Sequence, residues 1–216
     1  YIEKDSSIND DIDQMRHSAV SSLLASDDVI VVSSVSCIYG IGDPEDYKES
    51  MLVLKQGQII NRGTLLEKLV SMLYVRNDYD FKRGTFRVRG DSIEIIPTYE
   101  KTNAIRVEFF DDEIERIREV DVLTGRILLD KTIVTIYPAT LFNVSKEKLQ
   151  EAIGRIKEEL QDRVDYFTVN NQLLEAQRIK QRTEYDIEML EEIGVCSGIE
   201  NYSRHLSLRE EGETPY

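Results

Sequence analysis

A mixed α/β fold, with an antiparallel β-meander set into it and a helical hairpin after it, is what this sequence predicts. Three observations carry that prediction. From Arg83 to Phe110 apolar and polar residues alternate with a period of two, the mark of strands buried on one face. Val29 to Val32 is a short continuous apolar run, which reads as a strand buried on both faces, as in parallel sheets. From Ser145 to Ile193 apolar residues recur at helical spacing on a highly charged background.

At the start of the chain, Ser7 or Asn9 can cap a helix whose first turn holds Asp10, Asp11 and Asp13, where the dipole favours anions. Ile12, Met15, Ala19 and Leu23 form its apolar stripe, to about Ser26. Ser33 to Gly40 then follows the apolar run at the end of a strand where open α/β sheets hold ligands, although a capped loop fits the same residues equally. Asp43-Pro44 starts the next helix, as N-cap and first helical residue. Gly57 and Gly63 bracket a short extended piece, and Leu65, Leu66, Leu69, Val70 and Leu73 make a helix stripe.

In the meander, Phe86 and Val88 oppose Thr85, Arg87 and Arg89. Ile93 and Ile95 oppose Glu94 and Ile96, and Ile105, Val107 and Phe109 oppose Arg106, Glu108 and Phe110. Gly90-Asp91 and Asp111-Asp112 mark the reversals. Ile114 and Ile117 lie three apart, so a bulge or a short helical turn is expected there. The outward face carries Arg83, Arg87, Arg89, Arg106, Arg116 and Arg118 with Glu94 and Glu108, and Ile96 and Phe110 share that side. Arginine's fixed fork suits bidentate pairing and is enriched at protein interfaces. The arginine bias and the exposed apolar pair favour an interface over a merely solvated face. Changing Arg87 or Arg89 to Glu leaves the inward residues untouched, so a stability change of only ~0.5 kcal/mol is expected.

Leu123-Thr124-Gly125 turns the chain into Ile127 to Tyr137, mostly strand, so Gly57 to about Asp130 has the look of a largely antiparallel insert in an α/β frame. Ser145 caps a helix with a stripe at Leu149, Ile153, Ile156, Leu160, Val164 and Phe167, and Thr168 to Asn171 breaks it before a second helix ending at Gly194. Two antiparallel helices are expected ahead of a coiled-coil arm. The window after Gly194 gathers Glu200, Asn201, Tyr202, Arg204 and His205.

With 216 residues the chain can bury one large core or two small ones. Its net charge of −14 opposes general affinity for nucleic acid, so any DNA contact must be local. No apolar run reaches membrane-spanning length, so no membrane association is expected. Cys37 and Cys196 form no CxxC, and His17 and His205 have no ligand spacing, which fits a reducing cytoplasm and no metal. Tyr1 at the start and Thr214-Pro215-Tyr216 at the end suggest a piece of a longer protein. There is no GxxxxGK[ST], GxGxxG or HExxH, so a binding module rather than a self-sufficient enzyme is expected.

Five stretches carry a resemblance: YIEKDSSINDDIDQMRHSA, VSSVSCIYGIGDPEDY, RNDYDFKRGTFRVRGDSIEIIP, IRVEFFDDEIERIREVDVLTG and GVCSGIENYSRHLSLR. In order, they resemble consecutive blocks of the UvrB family, the damage-verification component of the UvrABC excinuclease in bacterial nucleotide excision repair. A transcription-repair coupling factor shares a related module, but GIENYSRH favours UvrB; a generic helicase-like accessory domain is the other alternative. The resemblance implies three regions: 1–46, the end of a DNA-clamping hairpin and part of a helicase-like lobe; 47–142, an inserted UvrA-binding domain; and 143–216, an accessory helical domain. It implies UvrA-facing roles for Arg76, Arg87, Arg89, Arg106 and Glu108. It places Tyr1, Arg16, Glu200, Asn201, Tyr202, Arg204 and His205 near the DNA path, with no catalytic residue and no metal ligand. ATP and magnesium, damaged DNA and UvrC are implied for the full-length parent, with no cofactor expected in this stretch.

Overall fold

The computed structural model describes residues 10–34, 37 and 41–214, and these group into two compact units. One contains residues 8–33 and 47–141; the other contains 34–46 and 142–216. Tyr1, Ser7 and Asn9 fall outside the described residues.

The first unit is organised by a six-stranded sheet. Its strands are β2 (Val75–Arg76), β3 (Thr85–Arg89), β4 (Ser92–Ile96), β5 (Asn103–Phe110), β6 (Glu113–Asp121) and β7 (Ile127–Lys131), ordered as in the chain. All neighbours are antiparallel except β2 and β3. The turn glycine Gly90 has φ +58°, which an L side chain rarely adopts, so the hairpin between β3 and β4 uses the residue suited to it. At Ile114 the bulge is what forms: Glu108 faces Arg116 while Phe109 faces Ile114, leaving Glu115 as the extra residue. That extra residue lets Ile114 and Ile117, at 0% and 1% exposure, both enter the core.

One face of the sheet is covered by α3 (Arg62–Ser71), through Leu65 and Leu69, and by a two-stranded ribbon of β1 (Leu52–Lys55) and β8 (Ile133–Ile136). Phe86, Ile93, Ile95, Val107, Ile114 and Ile117 fill this core, each burial stabilising the fold by ~1.5–3 kcal/mol. The α3 cap is Asn61, whose side chain accepts from the Gly63 N–H.

The helix α1 (Asp10–Ala25) also belongs to this unit. It is held by polar contacts as much as apolar ones: Arg83 donates to Asp10 at 2.9 Å and to Asp13 at 2.8 Å, Lys101 to Asp11, and Gln14 to the Tyr99 carbonyl at 3.1 Å. Buried His17 brings Nδ1 to 3.1 Å from Thr98 Oγ1. Val20 and Leu24 pack on Tyr47, Tyr99, Tyr137 and Leu141.

Three expectations are corrected in this unit. The stripe Ile12, Met15 and Leu23 is exposed, because the helix turns its Asp13 and His17 side toward Arg83 and Thr98 instead. Residues 29–32 form no strand. A strand buried on both faces needs neighbours along its edges, and no described strand lies beside these residues, leaving Ile30 and Val32 over 90% exposed. Ile96 is fully buried rather than exposed: with Ala104 and Val120 it forms a small cluster on the sheet's second face, covered by Phe81 and Val122.

The second unit is built on the predicted helical hairpin, α4 (Lys146–Val169) and α5 (Leu173–Glu192). Ser145 caps α4 by accepting from the Lys148 N–H. Ile153 and Ile156 pack against Ile187, Leu190 and Cys196, with Tyr202 against this cluster. The short α2 (Pro44–Glu49) is capped by Asp43, and Lys148 reaches its Asp46 at 2.7 Å. A 3₁₀ turn, Ile199–Tyr202, leads into α6 (Ser203–Leu206), where Leu206 joins Phe142 and Ala152.

Candidate docking face

Strand register brings the charged residues of the meander together. One row crosses four neighbouring pairings, Arg87 to Glu94 to Arg106 to Arg118 to Asp130. The next row runs Arg89, Ser92, Glu108, Arg116. Directly opposed side chains share a sheet face, so Arg87, Arg89, Arg106 and Glu108 form one surface. Phe110, 74% exposed, extends it.

Within this surface the residues differ in status. Glu94 is only 1% exposed and accepts from Arg87 Nε at 2.6 Å and Arg106 Nε at 2.7 Å. Burial alone would push its carboxyl up, but those two charge-assisted bonds outweigh it and hold the group below the ordinary carboxylate range. The Arg87 guanidinium also lies over the Phe81 ring, 3.9 Å from its centroid. Glu108 accepts from Arg118 Nη1 at 3.0 Å, and Arg118 Nε donates to Asp130. Arg89 is exposed and makes no ion pair among the described residues. Arg76 stands opposite Phe86, outside these rows, with Asp78 at 3.2 Å. Sequence reasoning already sets Glu94 and Arg118 on the outward face beside these arginines, so Phe81 is the functional candidate it misses. Nothing in the residues around Phe81 signals that it covers Arg87.

The residues expected near DNA are divided between the two units. Tyr1 lies outside the described residues. Arg16 is half-buried on α1, and its Nε has no hydrogen-bond partner among the described residues. In the helical unit, Glu200 and Asn201 are exposed, whereas Tyr202 packs into the apolar clusters and donates its hydroxyl to Asp186 at 2.7 Å. Arg204 pairs with Glu159 of α4, and His205 Nε2 lies 2.8 Å from the same carboxylate. Burial pushes the His205 imidazole below its ordinary value, more than Glu159 raises it. These two residues, with Arg155, Arg163 and Arg209, line an open polar hollow that also holds Glu158, Glu159, Asp162, Glu210 and Glu211, so its cations are balanced by acids. Among the described residues no cluster of His, Cys, Asp or Glu could hold a metal ion, and no helix is long and apolar enough to cross a membrane.

Comparison with known proteins agrees with this architecture. Residues 52–142 match the UvrB interaction domain and residues 147–208 the UvrB third helical domain. Over all 216 residues the chain is 58% identical to UvrABC system protein B of Bacillus velezensis, 57% to that of Bacillus subtilis and 56% to that of Lactococcus lactis. Those matches take 33%, 33% and 31% of the relatives, so the chain spans about a third of their length. With both domain models matched in order and this identity along its whole length, the chain belongs to the UvrB family.

Proposed function

We propose that the arginine face of the six-stranded sheet docks UvrA, and that the chain serves nucleotide excision repair as part of the damage-verification component. The observation that carries this is the register placing Arg87, Arg89, Arg106 and Glu108 on one surface of the matched interaction domain. Exposed Phe110 beside them supplies an apolar contact, and such aromatic and arginine residues dominate interface energies. In a chain of net charge −14, this local concentration of arginine suits an acidic partner surface. Damaged DNA, ATP with magnesium, UvrC and a cytoplasmic location belong to the proposed role of the full-length protein.

Arg89 gives the cleanest test, because it is exposed and makes no ion pair among the described residues. Arg89→Glu should lower affinity for purified UvrA by about tenfold or more, measured by titration calorimetry, with an unchanged melt. Unchanged affinity would move the dock off this face, with the charged helices α4 and α5 the next surface to test.

A further inference from the structure

We infer that Glu94 is the positioning residue of the docking face: it fixes Arg87 and Arg106 as a preset pair of forks for carboxylates of an acidic partner surface. This rests on the docking reading above. The geometry is specific. The carboxylate sits in the middle strand of three, in register with both arginines, and gives one oxygen to each: Oε2 to Arg87 and Oε1 to Arg106. Both bonds use Nε, and Arg106 adds Nη2 to the same oxygen at 2.7 Å. Among the described residues, both Nη groups of Arg87 and Nη1 of Arg106 have no partner.

Such an arrangement removes the usual cost of using arginine at an interface. A guanidinium on a flexible stem must be ordered when the partner arrives, which subtracts from affinity. Here the side chains of Arg87 and Arg106 are 14% and 23% exposed, so most of each is already packed and held at its Nε before a partner arrives. Phe81 under Arg87 fixes its plane as well. A planar fork held this way matches carboxylate geometry, which a lysine in its place would not. Glu94 need not touch the partner. It acts through the two arginines.

The test compares Glu94→Gln and Glu94→Asp with Arg89→Glu, reading UvrA affinity by calorimetry, the arginine Nε–H signals by NMR, and the melt. In the unchanged chain the Nε–H signals of Arg87 and Arg106 should both be protected. Glu94→Gln should lose them and bind UvrA about tenfold more weakly, with Glu94→Asp, which keeps the charge but shortens the reach, in between. If Glu94→Gln fails to fold, Glu94→Asp carries the same comparison. Affinity within about twofold of the parent, while Arg89→Glu binds weakly, overturns the positioning role alone. So does an affinity loss that follows the melting temperature rather than the Nε–H signals. If Arg89→Glu also binds normally, it is the docking reading that falls.

Discussion

Arg87 and Arg89 stand two positions apart on one strand and one face, yet they answer to different physics. Arg87 neutralises a carboxylate that is 1% exposed; Arg89 meets solvent. Arg87→Glu would set a second carboxylate against buried Glu94 and leave that charge short of a partner, a change that costs about 3–5 kcal/mol. Arg89→Glu should stay within about 0.5 kcal/mol. Urea denaturation of the two variants checks the contrast, and equal midpoints would show Glu94 to be less dependent on Arg87 than its geometry implies. On this geometry a small cost is expected at Arg89 and a large one at Arg87. Alternation tells which way Arg87 and Glu94 point, because period two depends on the strand alone. It cannot tell that Glu94 is buried, because that depends on two arginines arriving from neighbouring strands and on Phe81 from a loop.

At the level of the element, α1 is attached to the sheet unit through a histidine kept neutral. Burial pushes the His17 imidazole down to about 4; Asp13 opposes this and Arg83 reinforces it. In the unfolded chain a histidine titrates near ~6.5, so as pH falls the unfolded state takes up its proton first. Stability from this group is therefore complete above about 6.5 and drains away toward 4, by about 3 kcal/mol in all. As pH falls past the ordinary glutamate value, the depressed Glu94 carboxyl adds a further loss, because the unfolded chain takes up that proton first. Denaturation midpoints measured from pH 7.5 to 4.5 should fall in the unchanged chain and fall less in His17→Asn; parallel profiles would put the acid sensitivity elsewhere. Helices α3, α4 and α5 are legible from their apolar spacing, and α4 also from its Ser145 cap, although Val70 of α3 and Leu173 and Leu174 of α5 stay exposed. On α1 the stripe and the buried face differ, because ion pairs with Arg83 and Lys101 chose the orientation.

For the chain as a whole, charge decides what binds without help. At a net charge of −14, with Arg204 and His205 sharing Glu159, single-stranded DNA should bind with a Kd above about 1 µM at physiological salt. Fluorescence anisotropy reads this directly, and tighter binding would mean that the helical unit presents cations its acids do not cover. The meander and helical hairpin are visible in the sequence because each buries apolar residues at its own period. Residues 29–32 depart from the strand their pattern suggests because an apolar run describes what a segment needs, and no described strand supplies it.

The bulge at Glu115 has an evolutionary side. Losing that one residue would leave Ile114 opposite Phe109 and Arg116 opposite Glu108, with Ile114 and Ile117 still on the same side of a regular strand. A deletion at Arg118 would instead keep the bulge and turn Glu119, Val120 and Asp121 over, taking Val120 off the face it shares with Ala104 and Ile96. The bulge is thus the point on this strand where one residue can be lost while the arginine face stays in frame.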